Sequence, residues 1–556
     1  MRIIASIKPY RRVLALLLIA VLLLMSLAAV IWFDNAVNRG ITYMPDPQPI
    51  SFTEVPPVGV NAFNIQFEAE EAKVTQTLEM ARDLGAHFVR IQMPWDDVEI
   101  AGKGDFEDRR NPERIRDAWE KYDFIVAEAS RLELELIVRI DRPPQWTRAQ
   151  THDTPAFQEG LANNPDSTGP PDNYDDFGDF VGAVAERYRG QVNYIQLWNE
   201  PNLAYEWNWT TPDPERFVDL LRVGYVAAKE ANPDVIILFP SLAPTDGLDR
   251  QAPMTELEYL DRVYAAGGGE YFDIMSAQAY GLGQPPDEHR YVFLRRPGNW
   301  SWSRPIDTRI DVSRLVLLRE VMEQHGDYET PVWISEFGYN SAPEGVPGRN
   351  TWGEPVSEEV KGAYLIGQLE RARQEWPWVG VMNLWFLRWG GEPPDPNNPT
   401  PYFAIVDHDF NPLPAYTMIQ EYLADGPVAG VGAYTWSHPA VQSSTEGTWD
   451  MRFEGTTLAL QGRGSFQITI NETTPIDISL EDGDIAEVIS GLPDGAVHTA
   501  RIEGAGEPPE VFVVGRAPPV PWFWTLAPAV LLIALIAVAG LIMQTLFTRN
   551  RHTVKT

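Results

Sequence analysis

Val192-Asn193-Tyr194-Ile195-Gln196-Leu197-Trp198-Asn199-Glu200-Pro201-Asn202 is the stretch whose reading decides the fold. β-Branched and aromatic residues crowd its first half as in a buried strand. Pro201 cannot donate to a strand ladder and ends the run directly after a carboxylate. Glu200 is therefore expected at the carboxyl end of a strand. Pro331-Val332-Trp333-Ile334-Ser335-Glu336-Phe337-Gly338 has the same grammar: an apolar strand, one glutamate, then a chain-breaking glycine. Two such strands in one barrel aim two carboxylates into one cleft.

Outward from these stretches, strands and helices alternate. Residues 58–63 read as a first strand. A helix over 70–85 follows, with Val74, Leu78, Ala81 and Leu84 at helical spacing and a glycine at its end. Residues 87–95 make a second strand. Asn111-Pro112 then reads as a helix start, an N-cap with proline in the first turn, for a helix carrying Ile115, Trp119 and Ile125. After a third strand at 134–140 comes a helix with Phe177, Val181, Val184 and Tyr188, so the Glu200 strand is the fourth. The fifth and sixth strands fall at 235–240 and 272–280, after helices at 214–231 and 257–264. A helix with Leu315, Leu318 and Met322 makes the Glu336 strand the seventh. The eighth lies at 380–386, after a helix over 357–376, and a helix at 414–424 closes the set. Eight rounds predict an α/β fold, a (β/α)8 TIM barrel spanning residues 51–425.

From 426 to 518 the texture changes. Short alternating runs at 458–462, 465–470, 486–489 and 510–514, split by turn residues, predict a small antiparallel β-sandwich. Each end of the chain carries an apolar run long enough for a bilayer. Residues 13–33 follow Arg2, Lys8, Arg11 and Arg12. Ser26-Leu27-Ala28 has the form of a signal-peptidase site, yet the apolar run continues to Phe33, which favours an uncleaved anchor. Residues 522–547 form the second run, with Trp522 and Trp524 at one edge and Arg549, Arg551 and Lys555 beyond the other. Positive charge at the outer flank of each run places residues 1–12 and 548–556 in the cytoplasm. Everything between, starting with the proline-rich linker at 34–50, then lies outside the plasma membrane.

The 556 residues leave room for two or three cores, and the formal net charge is -34. Such acidity argues against nucleic acid or an anionic membrane surface as partner of the exposed part, and is indifferent to a neutral polysaccharide. With no cysteine there is no disulfide, thiolate metal site or cysteine nucleophile; 19 Trp and 20 Tyr supply flat rings suited to sugar stacking.

Trp198-Asn199-Glu200-Pro201-Asn202 and Ile334-Ser335-Glu336-Phe337-Gly338 resemble the acid/base and nucleophile signatures of the clan A retaining glycoside hydrolases. Members of that clan are (β/α)8 barrels whose two glutamates end the fourth and seventh strands, the positions that periodicity gives here. The resemblance covers the barrel; Asn411-Pro412-Leu413-Pro414-Ala415-Tyr416 is also similar to the closing segment of family 39-like members, and cellulase-like members are the other near group. It implies Glu200 as acid/base and Glu336 as nucleophile. It further implies Arg90 paired with the nucleophile, Asn199 on the sugar 2-hydroxyl, Tyr280 hydrogen-bonded to the nucleophile and Trp385 as floor beneath the sugar. The family often has a histidine two residues before that tyrosine, where this chain has Gln278.

Trp95, Trp146, Trp207, Trp209 and Trp389 follow barrel strands and are either further stacking platforms or loop packing. The chemistry implied needs no metal or cofactor, and its partner is a carbohydrate substrate. The competing expectation is a catalytically silent glycan-binding or envelope-organising protein on the same scaffold; transfer rather than hydrolysis would use the same residues.

Overall fold

The computed structural model describes residues 11–163, 168–287, 311–518 and 521–553. The first ten residues of the expected cytoplasmic N-terminus, residues 519–520 and the end of the tail with Lys555 lie outside the described residues.

Eight parallel strands form the barrel: β1 Val58–Asn61, β2 Phe88–Pro94, β3 Glu135–Asp141, β4 Tyr194–Leu197, β5 Ile236–Leu238, β6 Met275–Gln278, β7 Val332–Phe337 and β8 Val379–Leu384. Their order is β5-β4-β3-β2-β1-β8-β7-β6. The ring closes between β5 and β6 through isolated parallel bridges, Leu238 to Ile274 and Leu242 to Ala277, and Phe239 N–H donates to Ile274 O at 2.9 Å. Helices between and after the strands wrap the ring, among them Glu71–Leu84, Tyr174–Arg187, Pro214–Ala231, Glu358–Glu375 and Pro414–Ala424. Sequence signals place several of their ends. Asp213 and Ser357 accept backbone N–H groups as N-caps, and Gly85 ends its helix at φ 97.

One expected helix starts later than its sequence suggests. Asn111-Pro112 opens a turn, in which Asn111 Oδ1 accepts the Glu113 N–H at 3.0 Å, and the helix begins only at Glu120. An asparagine that bonds its own backbone two residues on satisfies a turn as well as a cap. Arg116–Asp117 pairs with Glu107–Asp108 in a small ribbon, and Ile115, read as a core position, is 57% exposed.

Inward-facing positions recur every second residue, and their chemistry changes along the barrel axis. At the strand starts Phe88, Ile137, Leu238, Ile274, Trp333 and Val381 pack an apolar plug. One pleat further on, the positions become Asn61, Arg90, Arg139, Gln196, Ser335 and Asn383, all buried or nearly so. Gly59 leaves the room this layer needs, since a Cβ there would collide with the Asn383 side chain. The core thus becomes polar toward the carboxyl ends of the strands, where barrels of this kind carry their chemistry.

Above β8, Arg388 makes an ion pair with Glu68 in the loop after β1, with both side chains almost wholly buried. Arg388 Nη1 also donates to His408 O at 2.9 Å. Removing one partner of a buried pair leaves the other charge uncompensated, typically at 3–5 kcal/mol, roughly. Arg388→Met is therefore expected to lower the melting temperature by several degrees. An unchanged melt would show that the pair contributes nothing.

After the barrel, seven strands form an antiparallel sheet: β9 Gly432–Tyr434, β10 Val441–Thr445, β11 Thr448–Glu454, β12 Thr457–Ile470, β13 Ile476–Ser490, β14 Val497–Gly504 and β15 Val511–Gly515. Two expected short runs, 458–462 and 465–470, are one continuous strand, and 486–489 is part of the long β13. The sequence reads as a break at residues 463–464 because the strand is kinked there, with φ values of 142 at Gly462 and 132 at Gly464. Before the kink β12 pairs with β15, and after it with β14. The sheet folds over its own core of Leu458, Phe466, Ile468, Ile502 and Phe512, an arrangement that fits a β-sandwich. Arg373 Nε donates to Glu454 Oε2 at 2.8 Å, tying this unit to the barrel.

Helices Arg11–Asn38 and Pro521–Thr553 flank the two units and pack against each other. Within them Arg11–Trp32 and Leu526–Phe547 are long and apolar enough to cross a membrane by length and composition. The segments joining them to the fold meet at one end of the barrel. Arg516 N–H donates to Tyr43 O at 2.7 Å, and Thr42 N–H donates to the carbonyl of Glu375, which ends the helix that feeds β8. That is the amino-terminal end of the strands, opposite the polar layer.

Candidate active site

Alternation along β7 puts Trp333 and Ser335 inside the barrel and would turn Glu336 out. A bulge reverses this. Ala277 on β6 aligns with Ile334 and Gln278 with Glu336, so β7 holds one residue more than its neighbour. Both Ser335 and Glu336 then face inward, the re-aiming for which bulges are used beside active sites. Glu200 reaches the same space differently, from the turn beyond β4. Trp198 and Glu200 there have φ values of 74 and 34, left-handed backbone that a non-glycine residue adopts only at a cost.

The two carboxyl groups have different partners. Glu336 is 5% exposed; its Oε1 accepts from Arg90 Nη1 at 3.0 Å and its Oε2 from the Tyr280 hydroxyl at 2.7 Å. Arg90, 3% exposed, is held in place by Gln196 Oε1 and Asn61 Oδ1, each at 2.7 Å. Burial lowers the Arg90 pKa and the Glu336 charge opposes that effect. Burial pushes the Tyr280 phenol well up, so it stays a neutral donor. Glu200 is partly exposed. Its Oε1 accepts from Gln278 Nε2 at 2.6 Å and its Oε2 from the Tyr205 hydroxyl at 3.0 Å. Burial, and after it the Glu336 charge, raise the Glu200 pKa, while the two donors oppose the rise. One carboxylate is thus bound to a cation and the other is pressed toward its protonated form.

Asn199 lies between Arg139, whose Nη1 donates to its Oδ1 at 3.2 Å, and Glu206, whose Oε1 accepts from its Nδ2 at 3.2 Å. Glu206 is raised well above the ordinary carboxyl range by burial and then by Asp141. Trp385 borders a small recess with Asn61, Arg90, Gln92 and Arg139 and packs edge-on against Phe63 at 5.2 Å. All six residues singled out in the sequence, Arg90, Asn199, Glu200, Tyr280, Glu336 and Trp385, therefore surround one cleft.

Other sequence candidates fare differently. Trp95 is fully buried and stacks on Phe180, and Trp207 is 4% exposed beside Phe217, so neither is a sugar platform. Trp146 is tied by its Nε1 to Glu99 O. Trp389 packs on Phe63 near Trp385, and Trp209 lies near Tyr205. The sequence reading missed Asn61, Gln92, Arg139, Asp141, Gln196, Tyr205 and Glu206. The alternating positions Phe88, Arg90 and Gln92 and Ile137, Arg139 and Asp141 carried a signal for three of these, Gln92, Arg139 and Asp141, polar side chains at the inward pleat of otherwise apolar strands. Gln278, noted as a departure from the family pattern, is the residue that reaches Glu200.

No protein-family model and no curated protein matches the chain. Solved structures that it resembles are glycoside hydrolases. A family 39 glycoside hydrolase from Bacteroides cellulosilyticus is 15% identical, with 82% of each chain covered and a TM-score of 0.47. A monomeric β-xylosidase from Caulobacter crescentus is 12% identical, with 83% of this chain and 98% of that one covered and a TM-score of 0.45. A family 5, subfamily 18 structure from Streptomyces cattleya in complex with GlcNAc is 16% identical, with 68% and 82% covered and a TM-score of 0.45.

Proposed function

We propose that this chain is a retaining glycoside hydrolase that cleaves a β-linked glycan, with Glu336 as nucleophile and Glu200 as acid/base. The reading is carried by the unequal surroundings of two glutamates in one cleft: Glu336 is held by the Arg90 guanidinium and the Tyr280 hydroxyl, and burial favours a protonated Glu200. Environments that push two carboxyls apart define an acid and a nucleophile. The Glu336 carboxylate attacks the anomeric carbon as the glycosidic bond breaks, and Glu200 gives its proton to the leaving oxygen. The ionised Glu200 then takes a proton from water, whose oxygen attacks the anomeric carbon and frees Glu336. Asn199, oriented by Arg139 and Glu206, donates to the sugar 2-hydroxyl, and Trp385 lies beneath the ring.

The acid works only when protonated, so a raised Glu200 pKa extends activity upward in pH. The basic limb of kcat/KM is expected above the ordinary glutamate value of about 4.3. Gln278 stabilises the ionised form through its hydrogen bond, so Gln278→Leu should move that limb to higher pH. A limb that stays in place would separate Gln278 from the acid.

The two apolar helices anchor the protein in the plasma membrane, with the barrel outside. Because both emerge at the amino-terminal end of the strands, the cleft opens away from the bilayer, toward glycans of the surroundings. The test is a panel of aryl β-glycosides and β-linked polysaccharides, with the anomer of the first product followed by proton NMR. Retention supports the double displacement. Inversion, or binding without hydrolysis throughout, overturns it.

A further inference from the structure

The loop that follows β3 carries a second recess beside the cleft. Asp96, Arg142, Gln145, Arg148, His152 and Thr168 are among its walls, and its volume is 180 Å³. Arg142 directly follows Asp141, the last residue of β3. On the far wall the Thr168 N–H donates to Tyr205 O at 2.9 Å, and the Tyr205 hydroxyl donates to Glu200. The recess therefore adjoins the loop that carries the acid, a position we assign to the leaving-group side of the cleavage point.

Its donors exceed its acceptors. Arg148 Nε and Nη1 are buried and have no hydrogen-bond partner among the described residues, and neither has Thr168 Oγ1. The Arg148 guanidinium lies over the Phe157 ring at 5.1 Å, which fixes its plane without using its N–H groups. Burial lowers the Arg148 pKa to about 10, so the group remains a cation at neutral pH. Among the described lining residues Asp96 is the one carboxylate, and it faces Arg142 at 3.5 Å. Nearby Asp172 accepts from Gln150 N–H and the Thr151 hydroxyl, each at 2.7 Å, and so holds the loop in shape. Buried donors left unpaired are costly, and a site that keeps them is built for an acceptor.

We propose that this recess is a subsite for an anionic substituent on the glycan, a uronate carboxylate or a sulfate half-ester, received by Arg148 with Thr168. The proposal rests on the glycosidase reading for its place along the substrate, though not for the binding itself. A chain of net charge -34 repels polyanions at a distance, but screening confines that repulsion to about 8 Å at physiological ionic strength. Recognition of an acidic glycan then falls to short-range donors such as these, and guanidinium groups suit carboxylate and sulfate oxygens.

The test is calorimetric binding to the full chain in detergent, in the Glu336→Gln background to prevent turnover. The probes are β-linked tetramers: glucuronate, its methyl ester, 6-O-sulfated glucose and neutral glucose. At least one charged tetramer is expected to bind about tenfold more tightly than its neutral counterpart, the scale of a single charge-assisted contact. Arg148→Met should erase the difference and Arg148→Lys keep part of it, in proteins that melt as the parent does. Preference for glucuronate assigns a carboxylate site; preference for the sulfated tetramer assigns a sulfate site. Equal binding of charged and neutral forms, binding of none, or a preference that survives Arg148→Met overturns the proposal. The comparison of acid with ester in the parent decides the matter even if Arg148→Met does not fold. An acid preference without hydrolysis of any glycan would defeat the glycosidase reading and leave the subsite standing; hydrolysis without that preference would do the reverse.

Discussion

Glu336→Ala is expected to lower kcat on an aryl β-glycoside by at least about 10^4-fold, the scale on which enzymes lose activity with their nucleophile. The same substitution strips Arg90 of its counter-charge in a site that water reaches poorly. A buried cation without its partner typically costs about 3–5 kcal/mol, so the variant should also melt earlier than the parent. Both losses have one remedy. Formate or azide fits the vacated space, pairs with Arg90 and attacks the anomeric carbon in place of the carboxylate. The added anion is therefore expected to raise turnover and melting temperature together, the product being a glycosyl azide of inverted anomeric configuration when azide is used. Full activity in Glu336→Ala without any anion would remove Glu336 from the mechanism. A melting shift without a change in turnover would leave it a structural partner of Arg90.

Glu200→Ala should act according to the leaving group. On a glycan, whose leaving alkoxide needs a proton, the expected loss is about 10^2 to 10^4-fold, the usual contribution of a general acid. On a dinitrophenyl glycoside, which leaves without help, the first step survives and the glycosyl-enzyme accumulates, because no base remains to activate water. A burst of phenol followed by slow turnover is the expected signature. Loss of the basic limb of the pH profile should accompany it, since the group whose deprotonation defines that limb is gone. Equal losses on both substrates would deny Glu200 the acid role.

Most of the barrel was legible because its signals are local. Gly338 directly follows the strand it ends, Pro201 lies in the turn after β4, helical spacing names the faces that pack on the ring, and Gly85 marks a helix end by its own backbone freedom. The misreadings arose where two local options compete. Asn111-Pro112 caps a helix or closes a turn with nearly equal ease, and only the ribbon between Glu107–Asp108 and Arg116–Asp117 selects the turn. Arg463 and Gly464 read as a break between two strands because glycine weakens a strand, yet pairing with β13 before and after them carries β12 through.

The sequence by itself determined the number of strands, their alternation with helices and the two glutamates, one at the end of the seventh strand and one just beyond the fourth. Each of those is written in the order of neighbouring side chains. Only the tertiary structure decided what the glutamates meet. Glu336 faces inward because β7 gains a residue against β6, a property of two strands together that neither strand records. Arg90, Tyr280 and Glu336 are 246 positions apart at their extremes, Gln278 reaches Glu200 across the cleft, and Arg148 keeps donors without a partner among the described residues. Burial raises the Glu200 pKa, and burial belongs to the assembled barrel rather than to any stretch of its chain.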